Sequence, residues 1–393
     1  MRNSKQIALA FPLGVSHFEG IVRGIVDFSQ QHGLRWSLLT MPESLELSVA
    51  QLRSWRGDGA VVAVNTPADA ALASKASFPL VNISGALARS PVPRVTVDGM
   101  QIGELAADHL MACGFRHFAY YGLSRVGYAQ ARGQGFAERL ETFGLSCVQC
   151  EAIPLFHSPI RTAERQQKEL IRWLKSLPKP LALFAASDYR ARIAQEACHA
   201  CGLRMPHEVA ILGVNNDPIL CEHSDPPLSS VSRNSYAVGQ QAAAMLQRLM
   251  QGKPLKQNEV LVPPDGLVKR ASTDVIAVND PRLAAAVQFL HERAQEPIGV
   301  DAVLRHVGVS RRWLEYGFRD ALGTTPYEYL CRLRVDRART LLRESPRTRL
   351  QEVAEGCGFS NTKQMNAAFL RLTALTPRQY REQHVRGRAA GLA

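Results

Sequence analysis

Short apolar runs alternate with amphipathic helical patterns through the first 275 residues, and this alternation restricts the fold more than any other feature of the chain. Apolar runs of this length, separated by helices, are typical of parallel strands that are covered on both faces of a sheet. The runs lie at 7–11, 36–39, 60–64, 80–83, 118–121, 181–185 and 209–214, and helical patterns at 19–31, 99–113, 134–143, 163–174 and 190–201. We therefore predict a doubly wound α/β architecture.

The series of strand–helix units breaks near Gly114 and begins again at Phe118. Two series predict two parallel sheets, and therefore two lobes. Ligands of such bilobed α/β proteins bind near the carboxyl ends of the strands, in the crevice between the lobes. The sequence therefore predicts a ligand cleft in the first 275 residues.

The remaining residues have a different character, since from Arg282 onward the pattern is helical throughout. Residues 281–393 contain 19 Lys and Arg against 11 Asp and Glu, so they carry +8 of the net charge of +12. Concentrated positive charge is the electrostatic footprint of a nucleic-acid-binding module. A basic tail that only improves solubility would have the same charge, so charge alone does not decide between them.

This helical segment contains an internal repeat of about fifty residues. The segment Val303-Leu304-x-x-Val307-Gly308-Val309-Ser310 matches Val353-Ala354-x-x-Cys357-Gly358-Phe359-Ser360, and Leu314, Phe318, Thr325-Pro326 and Tyr329 match Met365, Phe369, Thr376-Pro377 and Tyr380. Each unit is a helix, a short turn at glycine and a second helix, which is the helix-turn-helix pattern. The alternative is a pair of ordinary helical hairpins.

The turns of the repeat have suitable chemistry. Gly308 and Gly358 are expected to end a helix in the left-handed conformation. Ser310, and in the second unit Ser360 or Asn361, are expected to cap the next helix. Two further segments, 325–328 and 376–379, have the form of capping boxes with proline at the first helical position.

Four motifs in the first 275 residues occur in an order that resembles the sensor domain of lactose-repressor-type regulators, which are relatives of periplasmic sugar-binding proteins. They are Arg132-x-x-Gly135-Phe136, Ala186-Ser187-Asp188-x-x-Ala191, the run 205–216 and Pro227-Leu228-Ser229-Ser230-Val231. The resemblance covers about residues 5–275 and implies a bilobed periplasmic-binding-protein-like fold that holds a small sugar. Regulators of that type begin with a DNA-binding domain, whereas the first strand predicted here starts by about residue 6. A DNA-binding element is therefore expected elsewhere.

The helical segment resembles the DNA-binding domain of the AraC/XylS family over about residues 285–385. The residues that carry this resemblance are Gly358-Phe359-Ser360, Phe369 and Thr376-Pro377-x-x-Tyr380-Arg381. It implies an all-α domain with two helix-turn-helix units joined by a long helix, expected at 326–342 with Leu330, Leu333 and Leu341 facing the core. The predicted organisation is a sugar-sensing domain at 1–275, a linker at 276–284 and a DNA-binding domain at 285–388.

Helical periodicity places candidate DNA-binding residues on the outer faces of the two recognition helices. In the first, 311–322, Leu314, Phe318 and Ala321 are expected to face inward, while the outer face has Arg312, Glu315, Tyr316 and Arg319. Arginine pairs with guanine and glutamate accepts from cytosine. In the second, Met365, Phe369 and Leu372 are expected to face inward, while the outer face has Thr362, Lys363 and Asn366. Family members often have a basic residue at Ala367, so a less base-specific second unit is expected.

The resemblance to sugar sensors also implies ligand-binding residues. By the family pattern Arg132, Asp188 and Asn215 lie between the lobes; position 215 is usually Asp, so Asn215 departs from the pattern. Asp188 is alternatively a helix cap. Phe11, His17 and Phe18 lie at or just after the end of the first strand, where an aromatic ring would cover the apolar face of a sugar.

Metal, cofactor and catalytic motifs give little support to other functions. The pairs Cys147/Cys150 and Cys198/Cys201 could form a four-thiolate zinc site. We instead expect reduced thiols and no metal, because residues three apart on a strand point to opposite faces. Gly133-x-Gly135 is an incomplete dinucleotide motif, so neither a cofactor nor enzymatic activity is expected. No apolar run approaches the ~20 residues of a membrane span, so we expect a cytoplasmic protein with no membrane partner.

Together these patterns and resemblances predict a sugar-responsive, DNA-binding transcription regulator that activates a catabolic operon. Its expected partners are a double-stranded DNA operator, RNA polymerase, a second copy of the chain in a homodimer and a small sugar effector. The family resemblance implies a pentose, xylose first. The alternative is a sugar-binding receptor without a DNA-binding role.

Overall fold

A computed structural model describes residues 4–40, 47–154, 160–275, 280–322, 324–344 and 348–382. The chain divides into two compact units between Asp274 and Val275. In the first unit the strands are β1 Lys5–Ala10, β2 Trp36–Leu39, β3 Gly59–Val62, β4 Leu80–Asn82, β5 Arg94–Val97, β6 His117–Leu123, β7 Cys147–Ala152, β8 Leu181–Ala185, β9 Val209–Val214, β10 Ser229–Ser232, β11 Glu259–Val262 and β12 Gly266–Val268. Its helices are α1 Ser16–Gln31, α2 Pro67–Ala73, α3 Gly99–Ala112, α4 Gly127–Glu141, α5 Ile160–Ser176, α6 Asp188–Ala200, α7 Pro218–Glu222 and α8 Ser235–Met250.

These strands form two six-stranded sheets, in the orders β11-β5-β4-β3-β1-β2 and β12-β10-β9-β8-β6-β7. Neighbouring strands are parallel except for β10 and β12, which pair antiparallel. Each sheet is the centre of one lobe, and the chain passes between the lobes after β5, β10 and β11. The predicted bilobed α/β fold with two parallel sheets is confirmed.

Five strands were absent from the predicted apolar runs, namely β5, β7, β10, β11 and β12. Their composition explains this, because β5 is Arg-Val-Thr-Val and β10 is Ser-Ser-Val-Ser. The strand β10 is nevertheless largely buried, since the hydroxyl groups of Ser229 and Ser230 form hydrogen bonds inside the lobe. Polar strands of this kind are not detected by apolar periodicity.

The second unit is helical throughout its described residues and contains α9 Pro281–Arg293, α10 Val300–Val307, α11 Arg311–Leu322, α12 Pro326–Glu344, α13 Leu350–Gly356 and α14 Thr362–Thr373. Two hydrophobic clusters stabilise it. One packs α9, α10 and α11 around Phe318 and Leu330, and the other packs α13 and α14 around Phe369 and Val335. The long helix α12 contributes to both, as predicted for the joining helix.

The turn chemistry predicted from the repeat is present. Gly308 and Gly358 have positive φ angles of 67° and 79°. Thr325 and Glu328 form the reciprocal bonds of a capping box, with both N–H···O distances 3.2 Å. The second recognition helix is capped by Asn361, whose Oδ1 accepts from the N–H of Gln364 at 2.9 Å. Asn361, rather than Ser360, is therefore the capping residue.

Two details differ from the predictions. Asp280 caps α9 by accepting from the N–H of Arg282, so residues 281–284, assigned above to the linker, form the first turn of a helix. Leu283 from that turn is buried in the first cluster. Residues 276–279 lie outside the described residues. Ala321, expected to face inward, is exposed, whereas the next residue, Leu322, packs against the first cluster.

None of the helices in the described ranges combines the length and apolar character needed to cross a bilayer.

Candidate ligand cleft and nucleic-acid interface

The carboxyl ends of adjacent strands in the second sheet bring the predicted cleft residues together. Asp188 begins α6 just after β8, and Asn215 follows β9. Arg132 lies on α4, which follows β6, and its Nη1 donates a hydrogen bond to the carbonyl oxygen of Ala186 at the end of β8. Since β6, β8, β9 and β10 are neighbours, these residues occupy one edge of the lobe.

Asp188 is fully buried, and both of its carboxylate oxygens are used within the protein. Oδ2 accepts from the backbone N–H of Asp217 at 2.9 Å, and Oδ1 accepts from the hydroxyl of Ser230 at 2.6 Å. Burial raises the pKa of Asp188, and these hydrogen bonds oppose that shift. The alternative of a helix cap is not what is observed, because Ser187 is the N-cap of α6. Asp188 instead ties the ends of β8, β9 and β10 together.

Asn215 adopts a φ of 119°, and its N–H donates to the carbonyl oxygen of Val231 at 3.0 Å. Asparagine tolerates positive φ better than most residues that have a side chain. Its Oδ1 is buried without a hydrogen-bond partner. A buried acceptor without a partner is costly, so a ligand donor at this position would relieve that cost.

The aromatic residues predicted for the pocket wall cluster after β1 in the first lobe. Phe11 is buried, its ring stacks on that of Phe18 with centroids 5.0 Å apart, and the ring of His17 lies 4.3 Å from that of Phe18. Burial, followed by the charges of Arg233 and Arg132, lowers the pKa of His17 to about 2. His17 is therefore neutral at pH 7.

Sequence reasoning missed three members of this site. Arg233 lies in the crossing between β10 and α8, and Tyr128 lies 4.9 Å below the guanidinium of Arg132. Asp217 accepts a hydrogen bond of 2.5 Å from the hydroxyl of Ser16, which joins the two lobes. A search for charged residues directly after strand ends, rather than for family motifs, would have found Arg233 and Asp217.

On α11, the outer face matches the prediction. Arg312, Tyr316 and Arg319 are exposed, Tyr316 by 72%, and Glu315 is partly exposed. Leu314 and Phe318 are fully buried on the opposite face. The neighbouring Arg311 is instead bound to Asp301 at 2.6 Å, whereas Arg312 and Arg319 form no ion pair with any described residue. Their charges are therefore available to an external partner.

On α14, Lys363 and Asn366 are exposed and Thr362 is partly exposed at the first turn. Met365 and Phe369 are fully buried. The exposed face has one cation and two small polar side chains, which suits contact with phosphates or base edges. Ala367 is exposed beside them.

The cysteine side chains bear on the alternative of a four-thiolate zinc site. All eight are free thiols, and burial raises the pKa values of Cys147 and Cys198 to about 12. Thiols with such values are protonated at pH 7, whereas metals bind the thiolate. Across the residues that the structure describes, no group of three or more His, Cys, Asp or Glu side chains is arranged to hold a metal ion.

Comparison with known proteins agrees with this two-part organisation. Residues 107–273 match a model of the periplasmic binding protein-like domain, and residues 303–383 match a model of a helix-turn-helix domain. The xylose operon regulatory proteins of Haemophilus influenzae and of Escherichia coli K12 are each 27% identical to this chain, over 96% of it and 98% and 97% of their own lengths.

Solved structures give the same result. The structure of a xylose-binding transcription activator superposes with a TM-score of 0.71 at 26% identity, covering 97% of this chain and 98% of its own. The lac repressor dimer bound to operator matches 70% of this chain and 96% of its own, with a TM-score of 0.53 at 21% identity. The likeness to the lac repressor concerns only the fold of the first unit.

Proposed function

We propose that this chain, which joins a periplasmic binding protein-like domain to an AraC-type helix-turn-helix domain, is a sugar-responsive, DNA-binding regulator of transcription. One observation carries the proposal. The same polypeptide has two lobes around polar groups that lack hydrogen-bond partners, and these lobes are followed by two helix-turn-helix units with exposed cations. Full-length similarity to regulators that are named for xylose supports the same function. In this proposal the chain has no catalytic role.

On the sensor side, we assign the effector to the edge where β8, β9 and β10 end. Asn215 Oδ1 would accept from a sugar hydroxyl, since it is buried and lacks a partner. Phe11 and Phe18 would cover an apolar face of the ring, and neutral His17 would offer a donor or an acceptor. Asp188 has both oxygens occupied, so it acts as a positioning residue.

On the DNA side, α11 enters the major groove and presents Arg312, Glu315, Tyr316 and Arg319. The second unit uses Thr362, Lys363 and Asn366, with phosphate contacts at least as important as base contacts. Two recognition helices from one chain would lie about one DNA turn apart, roughly 34 Å. We further propose that the protein acts in the cytoplasm as a homodimer that recruits RNA polymerase, and that the effector is a pentose or a derivative of one.

The proposed function is tested with the full-length chain. Binding sites are selected from a random duplex library, and affinity for the selected site is then measured against salt, with and without sugars such as D-xylose. Affinity should fall steeply with salt as counterions are released, and an effector should change it by about 5–150-fold. A protein that binds sugar but selects no DNA sequence would instead be a sugar receptor.

Arg312→Ala tests base recognition. Loss of an arginine contact to a base should cost about 1–3 kcal/mol of DNA affinity and relax the preference at one position. The matched control is Arg293→Ala. Arg293, the last residue of α9, is also exposed, but it pairs with Glu296 at 2.9 Å. Repeating the site selection with each variant measures the preference. An unchanged preference with Arg312→Ala would limit this side chain to phosphate contact or to none.

A further inference from the structure

The last residues of the first unit, which ends at Asp274, are bound into the lobe of the second sheet. Ser272 and Thr273 are fully buried. The hydroxyl of Ser272 donates to the carbonyl oxygen of Ile211 on β9 at 2.6 Å, and the hydroxyl of Thr273 donates to that of Ser229 on β10 at 2.7 Å. Before the chain continues to the DNA-binding helices, it is therefore fixed to the central strands of this lobe.

Arg270 connects this segment to the edge of the ligand cleft. Its Nη2 donates to Oδ1 of Asn216 at 2.9 Å, and its Nη1 donates to the carbonyl oxygen of Leu228 at 3.0 Å. Its backbone N–H donates to the hydroxyl of Ser229 at 2.8 Å. Hydrogen bonds from a charged donor are about twice as strong as those between neutral groups. A single arginine thus joins the residues that follow β9, the start of β10 and the end of the sensor unit.

Asn216 directly follows Asn215, whose buried side-chain acceptor lacks a partner. Both residues have positive φ angles, 119° at Asn215 and 52° at Asn216. Residues with a side chain persist in such conformations only where the surrounding structure holds them. Asn216 is held through its N–H, which donates to the hydroxyl of Ser230 at 2.9 Å, and through its side-chain bond to Arg270. The backbone that carries Asn215 is therefore fixed in part by Arg270.

A hydrogen bond between an effector and Asn215 would act on this same pair of residues. An effector shifts an equilibrium only where it interacts differently with the two states, and the bond between Asn216 and Arg270 depends on the backbone that Asn215 and Asn216 share. We propose that Arg270 couples the effector site to the end of the sensor unit, as a positioning residue that does not touch the effector. This inference rests on the proposed function and deepens it, because it assigns the regulation to one hydrogen bond.

The test measures coupling in the full-length chain. Affinity for the selected DNA site is measured with and without D-xylose, L-arabinose, D-ribose and D-glucose, and the ratio of the two affinities is the coupling. Arg270→Gln should bring that ratio towards one, by about 2–30-fold, while calorimetry still detects binding of the sugar. By reciprocity, the duplex should change the sugar affinity of the wild-type protein by the same factor, and that of the variant by less. A role in stability alone would lower the melting temperature and both DNA affinities, but it would leave their ratio unchanged.

Two further variants complete the test. Asn216→Gly removes the acceptor of the same bond and suits a positive φ, so it should reduce the ratio to the same extent. Combining the two substitutions should then give no further loss. The matched control is Arg192→Gln, which should keep the wild-type ratio. Arg192 lies on α6 of the same lobe and also donates to a backbone carbonyl, that of His223, at 3.4 Å.

A wild-type ratio in Asn216→Gly, or in Arg270→Gln that folds, would overturn the inference. The proposed function would then stand, because a sugar would still change DNA affinity. Additive losses in the double variant would also overturn the inference, since the two residues would act separately. If none of the four sugars changes the DNA affinity of the wild-type protein, the proposed function fails and the inference fails with it.

Discussion

Gly358→Ala is expected to destabilise the C-terminal unit by about 3–5 kcal/mol and to abolish sequence-specific DNA binding, whereas Gly308→Ala should cost only about 1–2 kcal/mol. The two glycines occupy equivalent positions in the repeat, and both have left-handed φ angles. Their surroundings differ, because a Cβ on Gly308 meets nothing within 4 Å. A Cβ on Gly358 would lie 2.3 Å from the carbonyl oxygen of Ala294 and 2.7 Å from that of Glu296.

The obstructing carbonyls are themselves held in place. The buried Arg334 donates to the carbonyl oxygens of Ala294, Glu296 and Ile298 at 2.7–2.9 Å, and its guanidinium lies over the ring of Phe359 at 5.7 Å. An alanine at 358 would therefore push apart the contact between the two helix-turn-helix units. Scanning calorimetry of the full chain, with DNA binding at 25 °C, measures the effect. Similar losses in the two variants would show that only the φ angle matters.

Asp188→Ala is expected to destabilise the sensor unit by about 3–5 kcal/mol and to eliminate the response to effector. The substitution leaves the N–H of Asp217 and the hydroxyl of Ser230 buried without their partner, and removing one member of a buried hydrogen-bonded network has a cost of this size. The ends of β8, β9 and β10 would then separate, which displaces Asn215. Thermal unfolding and effector titration measure the two effects.

Asp188→Asn is the matched control, since the amide oxygen can still accept one of the two hydrogen bonds. Burial raises the pKa of Asp188 and so disfavours its charged form, which means that a neutral side chain loses less there than at an exposed site. We expect a smaller loss of stability with Asn than with Ala. A wild-type melting temperature for Asp188→Ala, with the response lost, would instead indicate direct contact with the sugar.

The elements with strong local patterns were predicted well. The runs at 36–39, 181–185 and 209–214 coincide with β2, β8 and β9, and the pattern at 311–322 coincides with α11. Apolar periodicity, caps and glycine turns are local, so they can be identified without the rest of the molecule. The polar strand β10 and the return strands β11 and β12 lack such a signal, because contacts from distant segments make them strands.

The cleft was predicted in part. Motif resemblance pointed to Arg132, Asp188 and Asn215 at one edge, but not to the role of Asp188, which depends on Ser230 and on the backbone of Asp217. Arg233 belongs to none of the four motifs that carry the resemblance to sugar sensors. It reaches the cleft only because β10 lies beside β9 and the chain then crosses to the other lobe.

By itself the amino-acid sequence determined the two-lobed α/β sensor, the duplicated helix-turn-helix and the outer faces of its recognition helices, because periodicity and turn chemistry act over a few residues. Only the tertiary structure decided which buried charges have partners and which of two equivalent glycines can accept a side chain. Those properties depend on groups far apart in sequence, such as Gly358 with Ala294 and Asp188 with Ser230, and no local pattern specifies what will pack against what.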